Sequence, residues 1–219
     1  MDTHLISRLV ELASYGVLLV AVAVVAQRNL ATSIRLLRLE GFLLATVSAV
    51  IGLHAHEPHL YWVAAITLVV KGLAIPSFFL HVMHRIGLPH DAERSLTVPL
   101  GLMLASGLTL VAYHVGRPLA LASPWITRDV LASSLGTAFI GLSLMIVCRK
   151  ALTQMLGFLL MEDGIFLFGI TETYGMPLLV EIGIFFDLIV AAGVTGILLL
   201  RMGGAFGQVD VDGLSDLKG

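Results

Sequence analysis

Charge is scarce in this chain. Of its 219 residues only 13% are Asp, Glu, Lys or Arg while 58% are hydrophobic, and the mean hydropathy is +0.96. A soluble domain clothes its surface with about 25% charged residues, so that class is excluded. Cysteine is scarcer still. The single Cys148 forms no internal disulfide and does not supply the four thiolates of an iron–sulfur cluster, so any redox centre associated with the chain belongs to a partner. The 13 basic residues are scattered over short loops and the net charge is -2, which excludes the basic stripe of a nucleic-acid-binding protein. What remains is an integral membrane protein.

Crossing a hydrocarbon core of ~30 Å takes about 20 apolar residues in a helix. Seven such runs lie near 5–26, 31–53, 60–83, 96–114, 128–148, 151–171 and 178–200, which predicts an all-α, polytopic membrane protein of about seven transmembrane helices. Short linkers make residues 1–202 one helical bundle. Residues 203–219 (GGAFGQVDVDGLSDLKG) form a polar, glycine-rich tail of the kind that a partner orders. Ala21-Val22-Ala23 superficially resembles a leader cleavage site, but Asp2 and Glu11 spoil the basic leader and Arg28 follows the apolar run instead of preceding it. The first run is therefore expected to be a retained helix. Lysine and arginine set the orientation. With the N-terminus outside, Arg28, Arg35, Arg38, Arg85, Arg94, Arg149, Lys150, Arg201 and Lys218 fall inside, against Arg8, Arg117 and Arg128 outside. This bias puts the N-terminus outside and the C-terminus in the cytoplasm.

The remaining basic residue, Lys71, sits inside the third run, and carboxylates sit inside others: Glu40, Glu162, Asp163 and Asp187. An ionised side chain at such depth costs at least ~2.5–3.5 kcal/mol, so each should face protein, water or an opposite charge. Measured from the nearest basic residue on the cytoplasmic side, Glu162 lies ~18 Å deep and Lys71 and Asp187 ~21 Å. The three share one layer, with Glu40 as a fourth member. Such a layer of both signs is what lateral proton transfer requires, because neighbouring charges in a low dielectric decide which group holds the proton. The alternative is that the groups only pair and hold the bundle together. Asp163 is ~100° around the helix from Glu162, which predicts that the two do not share a partner and that one faces a subunit contact. Glu181, one turn into the seventh run, reads as an interfacial or exit-side group. Pro76, five residues after Lys71, is expected to disturb the helix there.

His54, His56 and His59 (HAHEPH) lie in the loop between runs two and three, beside Glu57. Their spacing matches no strong zinc pattern, and a wet interfacial loop accounts for them equally well. His81 and His84 have no deep histidine in another run to complete a haem site. Gly52, Gly72, Gly101, Gly107, Gly136, Gly141, Gly157 and Gly164 read as close helix-packing positions.

The runs RKALTQMLGFLLMEDGIFLFG and LVEIGIFFDLIVAAGVTGILLLR, with ITLVVKGLAIPSFF and the terminal VDVDGLSDLKG, resemble the hydrogenase-4 component E family. These are small membrane subunits of formate-hydrogenlyase-type group 4 hydrogenases. Residues 127–202 further resemble the three-helix subunit K of complex I, with Glu162 at the first acid of that subunit and Asp187 at the second, aspartate standing where glutamate is typical. The resemblance implies a non-catalytic subunit of a complex I-like oxidoreductase in the inner (plasma) membrane. Its partners would be antiporter-like subunits and the membrane anchor of a peripheral redox module. It implies no cofactor in this chain, with iron–sulfur clusters and a nickel–iron centre only in partner subunits, and proton or sodium translocation through Glu162, Asp187, Lys71, Glu40, Asp163 and Glu181. A subunit of a cation/proton antiporter and a purely structural scaffold are the competing readings.

Overall fold

The computed structural model describes residues 3–55, 58–86, 97–120, 128–148 and 151–172, together with Ile189, Gly193 and Gly196. In chain order the elements are α1 (Thr3–Ala26), α2 (Leu30–Ala55), α3 (His59–Thr67), a π-helical segment (Leu68–Ala74), α4 (Ile75–Ile86), α5 (Val98–Ala120), α6 (Arg128–Val147) and α7 (Ala151–Glu172). Six stretches among the described residues are long and apolar enough to cross a membrane: Ile6–Ala26, Leu30–Leu53, His59–His84, Val98–Gly116, Asp129–Val147 and Leu152–Thr171. They coincide with the first six expected runs to within a few residues. The seventh, near 178–200, lies outside the described residues apart from three positions.

Local chemistry explains the joints. Asn29 caps α2, its Oδ1 accepting the Thr32 N–H at 3.2 Å, which satisfies one of the free amides of the first turn. The third span is continuous but changes hydrogen-bonding period in its middle. Pro76 has no N–H to give, and its ring crowds the carbonyl four residues back. The chain relieves this with a π segment over Leu68–Ala74, whose end is closed by the Ile75 N–H donating to the Val70 carbonyl, five residues back. The expected disturbance at Pro76 is thus a π-helical insert carrying Lys71.

Close backbone contacts at two interfaces set how nearly the helices approach. Between α6 and α7, a Cβ at Gly157 would lie 2.8 Å from the Gly141 carbonyl oxygen, and one at Gly164 would lie 2.6 Å from that of Ser134. Between α2 and the π segment, Gly41 lies directly against the Lys71–Gly72 peptide. In a bilayer, helices associate through such backbone proximity because lipid is as apolar as the side chains. Several hydroxyls buried in the spans turn back on their own helices, as Ser48 does on Leu44 and Thr171 on Leu167.

The apolar core divides into two clusters. One gathers Leu37 of α2, Ile75 and Phe79 of α4, and Leu159 and Leu160 of α7. The other gathers Leu44 of α2, Val63 of α3, and Phe166 and Leu167 of α7. α1, α2, α7 and the third span taken as a whole pass from one cluster to the other, and on the last three the charged residues lie between.

Candidate functional site: a buried charge cluster at mid-span

Three spans deliver their charged residues to one place. Lys71 has 12 residues of its span before it and 13 after, Glu162 has 10 and 9, and Glu40 has 10 and 13. All three are central in their spans; Asp187, the other member of the expected layer, lies outside the described residues.

The Lys71 Nζ lies 2.5 Å from Asp163 Oδ1, which accepts its hydrogen bond, and 2.6 Å from Glu162 Oε2. It also stands 4.7 Å from the centroid of the Phe166 ring, whose face attracts a cation. The expectation that Glu162 and Asp163 face different partners is therefore corrected: both reach the same ammonium. Two neighbouring carboxylates diverge around the α7 axis, yet a lysine arriving from a facing helix brings three donors on a four-carbon stem and lodges between them. Glu40 interacts electrostatically with Asp163, Lys71 and Glu162. It is completely buried, and neither of its carboxyl oxygens has a hydrogen-bond partner among the described residues. One helical turn from Lys71, the fully buried Thr67 hydroxyl likewise has none.

Among the described residues the cluster thus sets three carboxyl groups against one ammonium, with apolar side chains on both sides along the helix axes. A fully ionised set would carry two uncompensated negative charges, which a low-dielectric interior does not sustain.

Of the remaining expected site residues, Asp187 and Glu181 lie outside the described residues. Gly196, farther along that segment, is described and backs onto the Phe78 ring of α4. The side chains of His54, His56 and Glu57 also lie outside. Among the described residues no three His, Cys, Asp or Glu side chains group as metal ligands.

Sequence reasoning missed Gly41, Phe166 and Thr67. A signal for the first was present, because three of the four charged positions are followed at once by glycine: Glu40-Gly41, Lys71-Gly72 and Asp163-Gly164. Gly41 packs on the Lys71–Gly72 peptide and Gly164 on Ala138 and Ser134, whereas a Cβ at Gly72 would meet only Leu68 of its own span at 3.7 Å, so Gly41 and Gly164 are the glycines that let the helices approach closely.

Comparison with known proteins finds relatives over most of the chain. It is 30% identical over 217 residues to an uncharacterised protein of Mycobacterium tuberculosis (strain ATCC 25618 / H37Rv), covering 97% of each chain. It is 32% identical over 169 residues to hydrogenase-4 component E of Escherichia coli K12, and equally to that of Shigella flexneri, covering 76% of this chain and 77% of the relative. No protein-family profile matches the chain, and no solved structure does. On that identity and coverage, the chain belongs to the hydrogenase-4 component E family.

Proposed function

We propose that this multi-pass membrane protein is a non-catalytic subunit of a hydrogenase-type complex and carries part of a lateral proton path in the bacterial inner membrane. Its family membership supports a place in such a complex. The observation that carries the proton-path reading is the mid-span cluster of Lys71, Glu162, Asp163 and Glu40, with more carboxyl groups than cations to balance them. Apolar clusters close it along the helix axes, so exchange runs in the plane of the membrane. A proton leaving one carboxyl group changes the field on its neighbours a few ångströms away, and the ammonium between them transmits that change. Partners on either side, an antiporter-like subunit and the membrane anchor of a redox module, would extend the path. Asp187 and Glu181 are proposed as its continuation on the seventh span.

The test is purification of the tagged complex carrying Glu162→Gln or Lys71→Met, followed by proton-uptake measurement in proteoliposomes. Assembly with loss of pumping is expected. Normal pumping by well-assembled variants would reduce the cluster to a structural pin. Recovery of antiporter-like subunits without iron or nickel would reassign the chain to a cation/proton antiporter.

A further inference from the structure

Arg38 is a second charge inside the membrane, and the cluster does not use it. It has 8 residues of its span before it and 15 after, which places it roughly 10 Å of helix from the nearer edge of a ~30 Å hydrocarbon core. It stands two residues before Glu40, about 200° around α2, and so lies on a different face from the cluster. Its Nη2 donates to the Ser77 hydroxyl at 3.2 Å. Its Nε is buried and has no partner among the described residues. A guanidinium has five donors and a permanent charge, and one hydroxyl does not neutralise it.

Snorkelling toward lipid headgroups is the usual escape for an intramembrane arginine, but here the side chain is turned sideways. Gly41 packs on Gly72; Arg38 is three residues along α2 from that level and Ser77 five residues along span three in the same direction. The two therefore differ in depth by only about 3 Å. The guanidinium is held near its own level, in the groove between α2 and α4. Around it, Leu39 is 49% exposed, Phe42 40% and Leu73 47%, and Ser77 is exposed as well. Among the described residues no carboxylate pairs with Arg38, and an apolar surface that holds such an oriented cation is an incomplete ion pair.

We infer that the face of α2 and span three around Arg38 and Ser77 docks a transmembrane helix of a neighbouring subunit that presents a carboxylate at mid-membrane depth to Arg38. Charge complementarity selects this occupant: a lipid tail covers Leu39, Phe42 and Leu73 but leaves the guanidinium unpaired. The inference rests on the chain being a subunit of a membrane complex and does not depend on proton conduction.

The experiment places a benzophenone amino acid at Phe42 in the tagged chain, irradiates native membranes and identifies the adduct by mass spectrometry. The expected result is a crosslink to a membrane-spanning subunit at a peptide with an acidic residue in mid-span. Arg38→Gln should then lower co-purification of that subunit by at least about tenfold, from the cost of leaving a buried carboxylate unpaired. Arg38→Glu combined with acid-to-arginine exchange in the partner should restore it. Adducts to lipid alone would overturn the inference, as would unchanged recovery with Arg38→Gln. Since the crosslink needs no change at Arg38, it decides even if the variants fail to accumulate. A chain that purifies with no other subunit would refute complex membership itself, whereas lipid-only adducts within an intact complex refute only this interface.

Discussion

Gly41→Ala tests whether the close approach of α2 to the π segment positions the charge cluster. The new Cβ would lie 2.7 Å from Gly72 N and from the Lys71 carbonyl carbon, and 2.9 Å from Gly72 Cα. All three are backbone atoms and cannot swing aside, so reaching an ordinary contact of 3.4 Å means parting the helices by roughly 0.7 Å. Overpacking of this kind costs about 1–3 kcal/mol, partly offset by the ~0.8–1.0 kcal/mol that alanine gains in helix propensity. The matched control is Gly107→Ala on α5, where a Cβ meets nothing within 4 Å. Propensity cancels between the two, so Gly41→Ala should be less stable than Gly107→Ala by about 1–3 kcal/mol. At this chain length that is roughly 2–4 °C per kcal/mol, readable by size-exclusion chromatography of heated, detergent-solubilised complex. Pumping should fall with Gly41→Ala alone, because the Lys71 ammonium withdraws from its two carboxylates. Equal stability and equal pumping in the two variants would refute the positioning role of Gly41.

Lys71→Met should destabilise the chain by about 3–5 kcal/mol, since it removes the cation from between two buried carboxyl groups. Adding Asp163→Asn should recover part of that loss, and strict additivity of the two changes in thermal unfolding would show that they do not interact. Glu40→Gln, at a carboxyl group with no bonded partner, should stay within about 1 kcal/mol of the parent stability while abolishing proton uptake in proteoliposomes. Destabilisation matching that of Lys71→Met would instead make Glu40 a structural anion.

Most of the helical architecture was legible because a bilayer demands it. Each span needs a long apolar run, and the six described spans fall where those runs lie. The depth of the charges was legible too, since helical rise converts sequence distance into height. Which charges meet was only partly so. Glu162 and Asp163 looked incompatible with a common partner from their angle around α7, yet Lys71 reaches both. The π segment before Pro76 was foreseen only as a disturbance, because a proline specifies that the bond ladder must change but not how.

The sequence by itself determined that the protein crosses the membrane, where each described span runs, and that Glu40, Lys71, Glu162 and Asp163 lie at one depth. Hydropathy and helical rise are properties of a chain taken one helix at a time. Only the tertiary structure decided that these four groups form one cluster, that Gly41 rests on the Lys71–Gly72 peptide, and that Arg38 turns away from Glu40 toward Ser77. Those outcomes depend on which face each helix presents to its neighbours, and that is fixed by close packing between helices distant in sequence.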